Sequence, residues 1–220
     1  DGDLKVEETQ GYGSSADRMV TALYDLAGRL KESTYPGDGT ISSMTLTYTY
    51  DGLGRKVTVN DGTTDRVSDT WKGHLLQKRE YGSGAYLTHL DDSSSNLDGY
   101  GYDEFGRVEH HRWKDSTGSL LAGWAYDYDR VGNKLYQEDL KDSTESELYG
   151  YDGIYRLDDF DRGQLNANKD GISSPTREQS WTLDQLGNWD STTLDGTTES
   201  RTHNSVNELT QRTVGGDPSV

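Results

Sequence analysis

The sequence contains no cysteine and few of the residues that fill an ordinary hydrophobic core. The lack of cysteine excludes a disulfide framework and any thiolate metal site. Leucine, isoleucine, valine and phenylalanine together contribute only 37 of 220 residues. On averages alone, so low a share combined with a large net charge is typical of disordered chains, but the repeated turn motif described below overrides that expectation. No apolar run approaches the roughly 18–20 residues that a membrane-spanning helix needs.

Basic residues are scarce as well, with 22 Lys and Arg against 39 Asp and Glu and a net charge of −17. They form no cluster, so we expect neither nucleic acid nor an anionic membrane as a partner. The sequence also lacks a Gly-x-Ser-x-Gly motif, a phosphate-binding loop and a His-Glu-x-x-His motif. We therefore predict no catalytic residue, no cofactor and no metal, and a protein that is not an enzyme.

What the chain does have is aromatic surface, from 15 Tyr and 5 Trp, and a β-hairpin pattern at residues 44–59. Apolar and polar residues alternate there on both sides of an Asp-x-x-Gly sequence, which is the period of a strand with one buried face. Asp51 favours the first position of a type I turn. Gly54 permits the positive φ that closes such a turn with a bulge. Arg55 then follows within reach of the Asp51 carboxylate.

The same turn recurs along the chain, with Asp or Asn at positions 25, 51, 103, 129, 152, 184 and 204. The double step of 52 residues predicts a decayed copy near residues 71–75. A period in the twenties that repeats this often indicates an array of repeats. The predicted turn-motif residues are Tyr24, Asp25, Gly28 and Arg29; Tyr50, Asp51, Gly54 and Arg55; Tyr102, Asp103, Gly106 and Arg107; Tyr128, Asp129, Gly132 and Asn133; Tyr151, Asp152 and Arg156; Asp184, Gly187 and Asn188; Asn204 and Asn207.

Two copies depart from the pattern, with Tyr155 and Asn207 where glycine is expected. Asparagine tolerates left-handed backbone geometry, whereas Tyr155 puts its turn in doubt. Residues 158–179 lengthen one step and are rich in Asp, Asn, Gly and Ser, which predicts a loop-rich insertion. The fold class that follows is all-β: tandem antiparallel β-hairpins forming a long twisted ribbon, a solenoid or the wall of a hollow shell. The array is expected over residues 1–220, with recognisable repeats at about 20–210, in a fragment of a longer chain.

The Tyr-Asp-x-x-Gly-Arg signature at this spacing resembles the YD-repeat, or rearrangement-hotspot (RHS), family. The resemblance implies a β-ribbon that spirals into a hollow shell. In bacterial polymorphic toxins and toxin complexes such shells enclose a C-terminal toxic segment, and in teneurins a similar barrel serves cell adhesion. Bacterial members usually end in a plug segment that cleaves its own chain, and no residue here is assigned to that role.

The expected function is a non-catalytic structural segment of a large secreted or cell-surface bacterial protein, with neighbouring repeats and an enclosed toxin segment as partners. Two alternatives stay open. One is an adhesin or an extracellular filament that assembles by edge-to-edge pairing of repeats. The other is a polysaccharide-binding module that uses the Tyr-Asp pairs as a glycan-binding stripe.

Two further patterns could be ligand sites. The stretch from Asn166 to Glu178 resembles the start of a calcium loop, but its first ligand is Asn, and Arg177 stands where an acid is needed. His110 and His111 point to opposite sides of a strand and cannot chelate together. We therefore expect a solvated loop and ordinary strand histidines, and calcium at 166–178 stays open.

Overall fold

The computed structural model describes residues 3–10, 18–37, 40–90, 101–215 and 217–219. Their regular structure consists of eighteen β-strands and one three-residue 3₁₀-helix, Ser143–Glu145. Among these residues no helix is long and apolar enough to cross a membrane. The first nine strands are β1 (Leu4–Gln10), β2 (Arg18–Tyr24), β3 (Leu30–Tyr35), β4 (Met44–Tyr50), β5 (Lys56–Asn60), β6 (Asp65–Lys72), β7 (Leu75–Tyr81), β8 (Tyr86–Thr88) and β9 (His110–Lys114). The others are β10 (Leu120–Tyr128), β11 (Lys134–Asp139), β12 (Glu147–Tyr151), β13 (Leu157–Leu165), β14 (Ile172–Leu183), β15 (Trp189–Leu194), β16 (Thr197–His203), β17 (Leu209–Val214) and β18 (Asp217–Ser219).

The chain forms two compact units. Unit 1 comprises residues 1–101 and 113–120, and unit 2 comprises residues 102–112 and 121–220. In unit 1 the strands β1 to β8 pair antiparallel in sequence order. In unit 2 the strands β10 to β18 do the same. The predicted all-β fold of tandem antiparallel hairpins is confirmed.

The register of unit 1 separates an apolar face from a hydroxyl-bearing face. Tyr48 pairs with Val59, Val59 with Val67 and Val67 with Tyr81, so these side chains form a continuous row across four strands. On the opposite face Thr49 lies against Thr58, and their hydroxyl oxygens are 2.6 Å apart. The alternation that predicted the hairpin therefore sets which side of the sheet is apolar.

Unit 2 shows the same division of its faces. Tyr149 pairs with Phe160, and their ring centroids are 5.7 Å apart. On the other face, Asp159 pairs with Ser180 and Ser180 with Thr193. Aromatic rings packed side by side supply the apolar contacts that short aliphatic side chains supply in an ordinary core.

Few apolar side chains are buried. In the described residues these are Val59, Leu87 and Ala125. In unit 1 a buried aspartate forms a partly exposed ion pair: Arg79 donates two hydrogen bonds to Asp69, at 2.6 and 2.8 Å, and Asp69 is only 5% exposed. Strand pairing and the contacts at the hairpin turns therefore contribute a large share of what holds each unit together.

The predicted loop-rich insertion at residues 158–179 is wrong. Strands β13 and β14 occupy most of it and pair along their length, and only residues 166–171 form the connecting turn. Asp159, Asp161 and Ser180 lie on one face of these strands, opposite the face that carries Phe160, and polar residues on such a face are compatible with a β-ladder. The decayed copy expected near residues 71–75 is present as the two-residue turn Gly73-His74 between β6 and β7.

Candidate functional site

The repeat turns are the seven hairpin turns that begin at Asp25, Asp51, Asp103, Asp129, Asp152, Asp184 and Asn204. The turn at Asp103 is representative. The Asp103 backbone N–H donates to the Arg107 carbonyl at 2.9 Å, and the Gly106 N–H donates to the Asp103 carbonyl at 3.0 Å. One carboxylate oxygen of Asp103 accepts from the N–H groups of Phe105 and Arg107, at 2.9 and 2.8 Å. The acid therefore satisfies donors that the turn would otherwise leave open.

The same backbone pattern is present in every repeat turn. In five of them the fourth residue is a glycine with φ between 76° and 98°, in the left-handed region where a side chain is strained. Tyr155 and Asn207 adopt this conformation without being glycine, with φ of 68° and 64°. The turn at Asp152, which Tyr155 put in doubt, is therefore formed like the others.

The second carboxylate oxygen of each turn aspartate binds the fifth residue. Arg107 donates to Asp103 at 2.5 Å, and Asn133 donates to Asp129 at 2.8 Å. The last turn reverses the polarity, because Asn204 donates to Glu208 at 2.7 Å. The other pairs are Asp25–Arg29, Asp51–Arg55, Asp152–Arg156 and Asp184–Asn188.

These hydrogen bonds keep the turn carboxylates ionised. The backbone N–H and the guanidinium of Arg29 hold the pKa of Asp25 below its usual value. The pKa of Asp51 is lowered first by the side chain of Arg55. For Asp103, burial raises the pKa, but the hydrogen bonds from Arg107 and Phe105 outweigh it, so the net shift is downward. The pKa of Asp129, Asp152 and Asp184 is lowered as well.

Arg107 also joins its own turn to the next one. Its Nη1 donates to the Asp129 backbone carbonyl at 2.9 Å, and its guanidinium carbon lies 4.7 Å from the ring centroid of Tyr128. One side chain therefore binds an acid in one turn, and a carbonyl and an aromatic ring in the following turn. Ion pairing, hydrogen bonding and cation–π contact reinforce each other here.

The tyrosine that precedes a turn aspartate connects its turn back to the preceding repeat turn. The Tyr128 hydroxyl donates to the Val108 carbonyl at 2.9 Å, the Tyr151 hydroxyl to the Lys134 carbonyl at 2.9 Å, and the Tyr50 hydroxyl to the Leu30 carbonyl at 2.7 Å. In each case the acceptor directly follows the fifth residue of the preceding repeat turn. Burial raises the pKa of all three phenols, so each stays a donor at neutral pH.

The decayed copy in unit 1 keeps this connection through a different residue. The Trp71 indole N–H donates to the Lys56 carbonyl at 2.8 Å, and Arg55 lies 5.7 Å from the Trp71 ring. Trp71 thus takes the place of a motif tyrosine. The sequence prediction of a decayed copy near residues 71–75 included Trp71, although the list of turn-motif residues did not.

Later turns in unit 2 are connected as well. Arg156 donates to the Asp184 carbonyl at 2.6 Å, and Asn188 donates to the side chain of Asn207 at 3.2 Å. Leu183 and His203 precede these last two turns in place of tyrosine. The connection therefore continues to the end of the array while its chemistry becomes less regular.

The stretch considered for calcium is a hairpin turn. The Asn166 side chain donates to Asp170 at 2.8 Å, and the Lys169 ammonium group binds Glu138 at 2.5 Å. Within the described part of the chain, no group of three or more His, Asp or Glu side chains is arranged to hold a metal ion. The positive charge of Lys169 within the turn disfavours the binding of a cation there.

The resemblance to RHS proteins is confirmed by comparison with known proteins. The RHS Repeat family model matches residues 24–66. No curated protein matches the chain by sequence. Solved structures share its fold: the complex titled TcdB2-TccC3-TEV matches with a TM-score of 0.59 and 16% identity over 96% of this chain. The complex titled TcdB2-TccC3 without hypervariable C-terminal region matches with a TM-score of 0.56 and 15% identity over 91% of this chain. In both cases the chain spans 12% of the length of the matched chain.

Proposed function

We propose that this chain is a non-catalytic wall segment of a hollow shell of RHS repeats, within a larger secreted or surface protein of a bacterium. The shell would enclose a C-terminal toxic segment. The observation that carries the proposal is the contact between successive repeat turns, in which Arg107 and Tyr128 join neighbouring hairpins. Hairpins joined in this way form a continuous wall. The fold shared with the TcdB2-TccC3 complexes supports the same role.

The chemistry of the hydroxyl-bearing face suits the lining of a chamber. In unit 2 this face carries Ser180, Thr193 and Thr198 in successive strands, and acidic side chains lie beside them. A lining of hydroxyls and carboxylates is well solvated, so it offers little apolar surface to which an unfolded segment would adhere. The aromatic face and the paired turns give the wall its stability.

The test is to image the longest natural protein that contains these 220 residues and to digest it with a protease. We expect particles with an enclosed volume, and a C-terminal segment that is cut only after the shell has been opened. Particles without an enclosed volume, or a C-terminal segment cut at the same rate in intact particles, would contradict the proposal.

The polysaccharide-binding alternative requires exposed aromatic faces. The rings of Tyr50 and Tyr128 are instead covered by Arg29 and Arg107, at 4.8 and 4.7 Å, and their hydroxyls bind backbone carbonyls. These contacts favour the structural role. The filament alternative predicts assemblies that grow without limit as the concentration rises, which sedimentation measurements distinguish from closed particles.

A further inference from the structure

The hairpin tip is the part of the β13–β14 hairpin at residues 163–175. Strand β12 pairs with β13 as far as Glu147, which lies opposite Arg162, and the tip continues beyond this point. Its own strands pair with each other at Leu165 and Ile172. The tip is therefore a two-stranded projection that is joined to the sheet at one end.

The tip changes direction at Gly163. The register of β13 against β14 shifts on both sides of this residue, and its φ is 152°. A Cβ atom at Gly163 would lie 2.5 Å from the Ser174 carbonyl oxygen and 2.7 Å from the Cγ2 atom of Ile172, so the close approach of the two strands requires glycine. Irregularities of this kind bend a strand, and the tip consequently leaves the line of the hairpin here.

The tip folds over the hydroxyl-bearing face of unit 2. Asn168 and Lys169 of the tip line one cavity of about 400 Å³ together with Tyr136 of β11, Leu148 of β12 and Asp159 of β13. Tyr136 lies opposite Leu148, so both are on the same face of the sheet. The tip therefore covers part of this face and leaves a cavity beneath it.

Lys169 fastens the tip to β11. Its ammonium group donates to Glu138 at 2.5 Å and lies 5.1 Å from the ring centroid of Tyr136. Burial lowers the pKa of Lys169, but the contacts with Glu138 and Tyr136 outweigh it, so the net shift is upward and the group stays charged at neutral pH. The side chains of Lys169 and Glu138 are only 34% and 29% exposed, so solvent screens their ion pair incompletely.

The turn of the tip does not itself require a lysine. Lys169 has a φ of 59°, and its N–H donates to the Asn166 carbonyl at 3.0 Å, which is the conformation and the hydrogen bond of the glycine in five of the repeat turns. A side chain is strained in this conformation. The turn alone would favour glycine, whereas the contacts with Glu138 and Tyr136 need the ammonium group of lysine.

We propose that the hairpin tip is a hinged lid over this cavity, with the hinge at Gly163 and a latch formed by Lys169 on Glu138 and Tyr136. When the latch is released, the tip turns away from the face as a unit, because the pairing of β13 with β14 inside it is retained. Opening is then a local event that leaves the rest of the sheet folded. The lid does not depend on the proposed role in a shell.

Trypsin cleavage after Lys169 reports the open state, because the protease must bind the ammonium group that the latch holds. We expect Glu138→Gln to speed this cleavage about 10-fold, the factor that corresponds to the loss of one charge-assisted hydrogen bond. Glu104→Gln is the control with the same change of charge, at an exposed position in the turn at Asp103. Cleavage after the exposed Arg130 should be equal in all three proteins. An unchanged rate at Lys169 in Glu138→Gln, or an equal gain in Glu104→Gln, would overturn the proposal.

Thiol modification tests the lid from inside the cavity. The chain has no cysteine, so L148C places a single thiol beneath the tip. We expect a bulky thiol reagent to modify it about 10-fold faster when K169M is added, and to modify T193C, on the same face outside this cavity, at a rate that K169M leaves unchanged. Circular dichroism verifies that the variants are folded. Equal acceleration of both thiols, or of neither, would contradict a lid at this place.

Salt separates the latch from a general loosening of the hairpin. Rising salt should speed the modification of L148C alone and leave the rate of L148C with K169M constant, because the ion pair that salt screens is then absent. Adding E138Q to L148C with K169M should give no further gain, since the two residues act as one pair. The same salt dependence with and without Lys169, or an additive effect of E138Q, would exclude Lys169 and Glu138 as the latch.

Discussion

At the scale of single residues, the arginine of a repeat turn has two tasks. Arg107 closes its own turn through Asp103 and reaches into the next turn through the Asp129 carbonyl and the Tyr128 ring. Its exposed fraction is only 26%, so solvent screens these contacts less than it screens a fully exposed ion pair. Its removal should therefore affect two turns.

We expect Arg107→Ala to lower the free energy of unfolding by about 2–3 kcal/mol, from the loss of charge-assisted hydrogen bonds and a cation–π contact. Urea titration followed by circular dichroism measures the change. Arg66→Ala is the matched control, because Arg66 also pairs with an aspartate, Asp61, but its side chain is 58% exposed. A loss for Arg107→Ala no larger than that for Arg66→Ala would contradict the role in joining turns.

Tyr155 is the least favourable residue in the repeat turns, because it has a positive φ and is 59% exposed. We expect Tyr155→Gly to stabilise the protein by about 0.5–1 kcal/mol, since relief of left-handed strain exceeds the added entropy of glycine in the unfolded chain. Thermal denaturation measures the effect. Asn207→Gly is the control and should change the melting temperature less, because asparagine tolerates this conformation. A lower melting temperature for Tyr155→Gly would show that its side chain makes a contribution of its own.

The sequence could predict the acid, the glycine and the arginine of each turn because turn chemistry is local. It could not predict that Arg107 reaches Asp129, because a contact between turns depends on the register of the intervening strands. The decayed copy near residues 71–75 could be located from the period, but the hydrogen bond from Trp71 to the Lys56 carbonyl could not be predicted, because it appears only when β6 is placed beside β5.

At the scale of strands and hairpins, amino-acid composition predicted secondary structure poorly in a segment rich in polar and charged residues. Residues 158–179 have the composition of a loop but form the long hairpin of β13 and β14. In β13, Arg162 donates a hydrogen bond at 2.6 Å to Glu147, which lies opposite it in β12. Composition alone assigns such polar residues to loops. Alternation along a strand, and not overall polarity, identifies a strand with a solvated face.

The same hairpin contains an unfavourable pair. Asp161 lies directly opposite Glu178, and burial together with the nearby Asp159 raises the pKa of Asp161. We expect Asp161→Asn to stabilise the protein by about 0.5 kcal/mol at pH 7, because like charges on paired strands repel.

The gain from Asp161→Asn should depend on pH. A raised pKa means that the folded protein binds the proton more tightly than the unfolded chain, so the cost of the charge disappears as the pH falls below the folded pKa. Thermal melts of both proteins at pH 7 and near pH 3 test this. An equal gain at both pH values would show that charge is not the cause.

At the scale of the whole molecule, six repeat turns depend on an ionised aspartate with a lowered pKa. The unfolded chain therefore binds more protons than the folded chain in mildly acidic solution. The stability that these groups contribute is present above the unfolded Asp pKa of about 4 and is lost as the pH falls through the lower folded values.

We therefore expect the melting temperature to change little between pH 7 and about pH 5 and to fall steeply below about pH 4. Circular dichroism in a pH series measures this. A melting temperature that stays constant down to about pH 2 would mean that the ionised turns do not stabilise the fold.

The period of the repeats made the fold class predictable, because each turn signals its hairpin and consecutive hairpins must pair. The division into two units was not predictable in this way, because the recurring turn motif continues through both of them.

The central claim is that side chains connect successive repeat turns to one another. Hydrogen exchange of Arg156→Ala, followed by mass spectrometry, tests it most directly, because Arg156 connects the turns at Asp152 and Asp184, which are far apart in sequence. We predict that amide protection falls in both turns while the turn at Asp103 keeps its protection. A loss confined to residues 152–156, with the turn at Asp184 unchanged, would contradict the claim.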